Sequence, residues 1–196
     1  AIKYIKMKGY EPHICNDEIQ GAGFFAESVF LGDHLKPTYG MSNTSCNSAK
    51  KILKYNRDLG ISSLLEFAIS SNPKLNKGIY KGSFKSAHIY LITETNEIYL
   101  LHHIDRGNWR GPGGNIERNE KPLDALKREF SEEVFGRNHG RDNAYSKDNF
   151  DTFCDTYNYY DTTYRGRRNV LGARLFVGVL KPETKHLLPI SVYPDY

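Results

Sequence analysis

The chain has 196 residues, 26% of them charged and 39% hydrophobic, with a formal charge of +4. That length supports one well-buried domain with an appendage rather than two independent cores, and no apolar run is long enough to cross a bilayer. The mild positive charge suits a phosphate-rich ligand and falls short of the strongly basic signature of a dedicated nucleic-acid binder. Cys15, Cys46 and Cys154 are odd in number and share no metal-like spacing. A disulfide framework or a zinc site is therefore not expected, and a reducing, cytoplasmic compartment is. The first residue is Ala1, with neither an initiator Met nor a signal-type apolar segment, so no targeting address is read from it.

The first 82 residues spell no familiar module. Ile2 to Lys8 is read as an edge strand guarded by lysines. Gly21 to Phe25, followed by Val29 to Leu31, is either a strand or a packed loop, and Pro37 and Gly40 mark a turn. After the polar run Ser42 to Ser48, the pattern predicts a helix from Ala49 to Leu59 ending near Gly60. A second helix is predicted from Ser62 to Ser70, closed by Asn72-Pro73. The pair forms a helical hairpin whose plainest role is to insulate one edge of a sheet.

Strands follow. Ala87 to Thr93 and Ile98 to Ile104 are rich in Ile, Leu and Tyr and flank the polar turn Glu94 to Glu97, which predicts a β-hairpin. It leads through Trp109-Arg110-Gly111-Pro112 into a glycine loop, Gly113-Gly114, and then a helix with Pro122 in its first turn. Leu123, Leu126, Phe130 and Val134 fall on one apolar stripe. Glu129 and Glu133 stack one turn apart on a flank, and Arg128 and Glu132 form a second four-apart pair. Two readings are open: a solvated acidic face, or a seat for a cation, since three carboxylates so close repel unless a cation sits among them. Hard oxygen ligands of this kind suit Mg2+ or Mn2+.

The spacing of these residues resembles the Nudix box. Its pattern is Gly, five residues, Glu, seven residues, Arg-Glu, an apolar residue, any residue, Glu-Glu, any residue, Gly and an apolar residue. Gly114, Glu120, Arg128, Glu129, Phe130, Glu132 and Glu133 fall in step with it. The six fixed Gly, Arg and Glu matches would arise by chance in about one chain of this length in 10^5. One position departs: Phe135 stands where the family has its last Gly, and Gly136 follows it. A helix one residue longer, with all its oxygen ligands retained, accounts for the change. The approach through Trp109 and Pro112-Gly113-Gly114 extends the resemblance upstream.

Past the box, Arg137 to Asp151 reads as an inserted polar loop, and Phe153 to Tyr160 as a strand with Tyr157, Tyr159 and Tyr160 near alternation. Tyr164, Arg165, Arg167 and Arg168 either clamp a pyrophosphate or decorate a solvent-exposed turn. Gly172 to Leu180 reads as the returning strand. Most Nudix domains continue to a final helix, and none is evident here, so truncation or replacement by the amino-terminal helices is expected. The resulting division is a partly helical extension over 1–82, a core over 83–182 and a tail over 183–196.

The resemblance implies an α/β fold, an α/β/α sandwich around a mixed sheet, and hydrolysis of a nucleoside diphosphate linked to another group. By similarity, Glu129, Glu132 and Glu133, with the carbonyl of Gly113, bind Mg2+ or Mn2+, and Arg128 holds Glu129 in its ligating rotamer. Glu120, with Gly114, is read as supporting these groups rather than touching the ion. The general base is left open: by similarity it is a box Glu or a residue of a distant loop, with Asp142, Asp148, Asp155 and Asp161 as further acids. A small nucleotide with an ADP moiety, such as ADP-ribose or a dinucleoside polyphosphate, is the first expectation. Capped RNA is the second, from the tyrosines beside the arginine cluster. A silent nucleotide-binding module is the third, and no membrane partner is expected.

Overall fold

The structure, a computed structural model, describes residues 3–4, 19–31, 43–64, 83–104, 107–135, 150–163 and 170–192. Its frame is a mixed sheet of seven strands. Five of them run in the order β2 (Ile19–Ala26), β4 (Glu97–His103), β3 (Ser83–Ile92), β8 (Val170–Leu180) and β7 (Cys154–Thr163). Two short strands branch from it: β5 (Asn108–Arg110) pairs with β4, and β6 (Gly113–Asn115) pairs with β3. The β3–β8 pairing is parallel and every other pairing is antiparallel. A separate two-stranded ladder joins β1 (Lys3–Tyr4) to β9 (Ser191–Val192).

The central strands are apolar on both faces because helices cover both. Ala87, Ile89 and Leu91 of β3, Tyr99 and Leu101 of β4, and Phe176 and Leu180 of β8 enter one core with Ala125, Leu126, Phe130 and Val134. Those last four belong to the box helix, here α3 (Pro122–Phe135). Their alternating neighbours, Tyr90, Ile92, Ile98, Leu100, Leu175 and Val177, enter a second core with Cys46, Ala49, Ile52 and Leu53. These four lie on α2 (Asn43–Leu59), which follows the short α1 (Glu27–Leu31). The α/β/α layering is thus present, and the layer opposite the box helix comes from the amino-terminal part of the chain. The same part supplies β2, paired along β4.

Several local expectations change. The helix expected from Ala49 starts at Asn43, because the polar run Asn43 to Ser48 presents Cys46 to the second core and is drawn into the helix by that packing. It still ends at Leu59, and the Gly60 N–H closes onto the Asn56 carbonyl at 2.8 Å. Gly21 to Phe25 is strand, but Val29 to Leu31 is helical, with Phe30 fully buried. The strand expected from Phe153 is preceded by α4 (Phe150–Phe153), a single turn that buries Phe150 and Phe153 against Phe130. The β3–β4 hairpin forms around Asn96, whose side-chain amide donates to the Leu53 carbonyl at 3.1 Å and accepts from Asn56 Nδ2 at 2.8 Å, tying the turn to α2. Phe135 is the last residue of α3, and its ring meets Phe130 and Phe153. Cys46 and Cys154 are both buried.

Gly136, the inserted loop up to residue 149, residues 65–82 and the arginine cluster lie outside the described residues. Among the described residues, no helix is long and apolar enough to cross a membrane.

If α2 is a layer of one cooperative sandwich, truncating its buried Leu53 to Ala destabilises the whole protein by about 2–5 kcal/mol in a single urea transition. A separate early transition, or a loss below about 1 kcal/mol, contradicts the packing.

Candidate functional site

The site is built where α3 runs beside β6. Moving up the helix from Arg128 through Glu129 to Glu133 matches moving back along the strand from Asn115 through Gly114 to Gly113. Arg128 Nη2 donates to the Asn115 carbonyl at 3.0 Å. The Glu129 carboxylate lies against Gly114, in the space a Cβ would occupy. Glu133 Oε2 accepts the Gly113 N–H at 2.8 Å. Gly113 has φ 137 and a Cβ there would overlap the Ala87 carbonyl, so two independent constraints demand glycine.

Arg128 is the hub. Its Nε and Nη2 donate to the two oxygens of Glu120, each at 3.0 Å, in a forked pair. Nη1 donates to Glu129 Oε1 at 2.8 Å and lies 3.6 Å from Glu132 Oε2. The Glu120 hydrogen bonds first, then Glu129, hold the guanidinium above its ordinary range against the opposing effect of burial. Glu120 also accepts the Glu117 N–H at 3.0 Å, so it ties the loop to the helix. The anticipated Arg128–Glu129 contact is present, and Glu120 takes two further donors.

Glu133 faces a different set of groups. Its Oε1 is 3.5 Å from His103 Nε2 and 3.7 Å from Arg110 Nη2, and Arg110 Nη2 is 2.9 Å from His103 Nδ1. Glu133 and His103 are buried, with 3% and 1% of their side-chain surface exposed. Neither His103 nor Arg110 was a candidate from sequence. The available signal was alternation along β4, which puts His103 on the same face as Tyr99 and Leu101, a polar ring where the pattern calls for an apolar one.

The three box carboxylates are therefore not gathered at one point. Glu129 and Glu132 share Arg128, while Glu133 turns to Gly113, His103 and Arg110. Among the described residues no three His, Cys, Asp or Glu side chains converge as a metal cage. Glu129 is buried and Glu132 is half-buried on the rim. Asp155 and Asp161 belong to β7. Tyr164, Arg165, Arg167, Arg168, Asp142 and Asp148 lie outside the described residues.

The family model of the NUDIX domain matches residues 83–173, so this stretch, from the first residue of β3 into β8, is a Nudix domain. Nudix domains hydrolyse nucleoside diphosphate derivatives and generally use divalent metals such as Mg2+. No curated protein and no solved structure matched the chain.

The donor set fits a hard divalent ion. Glu129 rests its carboxylate against Gly114, and Glu132 brings a second carboxylate to the same Arg128 Nη1. Mg2+ is commonly held by one or two carboxylates, with water and substrate phosphates completing its shell, so a three-donor protein cage is not required.

The two loop glycines should differ on substitution. Gly113→Ala meets rigid backbone in a disfavoured conformation and costs about 3 kcal/mol or more. Gly114→Ala meets the end of the Glu129 side chain and costs less, because that side chain turns away. Chemical unfolding of the two variants checks the order, and its reversal contradicts the geometry.

Proposed function

We propose that this protein hydrolyses the diphosphate linkage of a small nucleoside diphosphate derivative. ADP-linked substrates, such as ADP-ribose or a dinucleoside polyphosphate, are the first candidates. Glu129 and Glu132, with the Gly113 carbonyl, hold Mg2+ or Mn2+ in this reading, and Glu133 fixes the loop through the Gly113 N–H. The observation that carries it is the burial of the Glu129 carboxylate against Gly114, on an acid-bearing helix within the Nudix match. A buried carboxylate is costly unless paired, and an apolar residue would pack more favourably if packing were its whole role.

When bound, the ion neutralises charge on the diphosphate and makes an attacking water more acidic. The chain's own contributions are positional. Arg128 holds Glu129 in one rotamer while Glu120 holds Arg128, a relay of charge-assisted hydrogen bonds. Glu133 anchors the start of the loop, and Gly114 leaves room for the Glu129 carboxylate. Water attack on phosphorus needs this positioning and electrostatic support more than it needs covalent chemistry from the protein.

A second reading has an observation of its own. Arg128 and the Gly113 N–H already provide donors to Glu129 and Glu133, which suits a nucleotide-binding module without turnover. One panel separates the two: ADP-ribose, dinucleoside polyphosphates and capped RNA, each with Mg2+ and with Mn2+, products identified by mass. Hydrolysis predicts mononucleotide release that falls by about a hundredfold or more in Glu129→Gln and in Glu132→Gln. Parent-level release in both variants contradicts the assigned ligands. Nucleotide binding with no product from any substrate decides for the binding module. If capped RNA is the preferred substrate, its turnover falls steeply with salt.

A further inference from the structure

The α3 face of the sheet carries a histidine that the motif does not include. His103 is the last residue of β4, two beyond Leu101 and four beyond Tyr99, so its ring points to the face those two share. Its register partner on β2 is Ile19, a member of the same core, and its partner on β5 is Asn108. Arg110, two residues on from Asn108, pairs with Leu101 and shares that face as well. His103 is buried there. An imidazole buried on a face that also carries Ile19, Tyr99 and Leu101 stabilises the fold less than an apolar ring of similar size would. Packing alone does not account for it.

The hydrogen on that ring can be placed. Arg110 Nη2 lies 2.9 Å from His103 Nδ1. A guanidinium nitrogen can only donate, so Nδ1 accepts, and an imidazole whose Nδ1 accepts carries its one proton on Nε2. Nε2 stands 3.5 Å from Glu133 Oε1, and Arg110 Nη2 stands 3.7 Å from the same oxygen. The other oxygen, Oε2, takes the Gly113 N–H at 2.8 Å. Two donors thus meet one oxygen of the carboxylate and the loop meets the other. Gly113 sits at φ 137, a conformation that glycine enters and leaves readily, so a fixed partner for its N–H decides whether the loop keeps its shape.

We propose that His103, locked by Arg110 as its Nε2–H tautomer, is a positioning residue for hydrolysis: it keeps Glu133 turned to the Gly113 N–H and so holds the glycine loop in shape beside Glu129. This rests on the hydrolase reading for the reaction and adds two residues outside the box, His103 and Arg110, that act through Glu133. The ring gains and loses no proton in this role, because Arg110 occupies the one lone pair that could take one.

Two measurements on the intact protein test it. Ring nitrogen–proton correlation spectra of the isotope-labelled, metal-free parent, assigned from the His103 backbone, are expected to show a neutral ring with its proton on Nε2 and a bare Nδ1. A proton on Nδ1, alone or together with one on Nε2, overturns the proposal. Turnover is then measured with Mg2+ on the parent, His103→Gln and His103→Phe, using whichever of ADP-ribose, dinucleoside polyphosphates and capped RNA the parent cleaves fastest. Phe fills the space without a donor, whereas the Gln amide sets an N–H near the position of Nε2. His103→Phe is expected to lower kcat about ten- to a hundredfold with KM within about twofold of the parent, and His103→Gln to recover most of that loss. Parent-level kcat in His103→Phe overturns the proposal, and so does a His103→Gln variant no faster than His103→Phe, which would leave the ring a packing role only. Should either variant fail to melt cooperatively, the parent spectrum decides. A parent that cleaves none of the substrates sinks the hydrolase reading and this proposal together. Cleavage that depends on Glu129, in a protein whose His103 is protonated on Nδ1, sinks this proposal alone.

Discussion

The site depends on one constraint: a three-residue strand, Gly113 to Asn115, is held by side chains from a single face of the box helix. Glu133 takes the first N–H, Glu129 fills the space above the middle residue, and Arg128 takes the last carbonyl. Each contact requires a partner with no side chain of its own in the way or a backbone group at a set height, so the glycines and the charged residues of the box define each other. Arg128 couples the set, since it bonds Glu120, Glu129 and Asn115 at once. Charge-assisted hydrogen bonds in a partly buried place fix rotamers more firmly than exposed ion pairs do. The loop and the helix thus act as one rigid unit.

That unit is held against the sheet by apolar packing, and the sheet needs cover on its other side. Here α2 supplies it, with Ile52 and Leu53 set against Ile92, Ile98 and Leu100. The hairpin tip at Asn96 is hydrogen-bonded to Asn56 and to the Leu53 carbonyl, so α2 also governs the turn between the two strands that lead to the loop. The amino-terminal segment therefore bears on the site through the strands. The β2 strand adds to this by pairing along the whole length of β4, whose last residue is His103.

Much of this was readable in the sequence, for a physical reason. Glycines where backbone must pass close, and acids at helical spacing, leave a pattern in a short window, and so the loop, α3 and the β3–β4 hairpin were legible. Arg128 with Glu129 followed from adjacency. Contacts between distant segments left no such pattern: His103 and Arg110 meet Glu133 only because β4, β5 and α3 come together in space. The burial of Glu129 and Glu133 was hidden as well, because the apolar stripe of Leu126, Phe130 and Val134 suggested that residues off the stripe face water. Likewise Asn43 to Ser48 is polar in local terms, and only the second core explains its helical state. Three carboxylates read as one cluster are divided in the structure, because Gly113 and His103 draw Glu133 inward while Arg128 holds Glu129 and Glu132 together.

The central claim is that the oxygens beside the Gly113–Gly114 loop seat a divalent ion. The most direct measurement is anomalous X-ray diffraction from crystals grown with Mn2+ and ADP. The account predicts a manganese peak within coordinating distance of the Glu129 and Glu132 carboxylates. A peak ligated elsewhere, with both of those carboxylates still turned to Arg128, would contradict it.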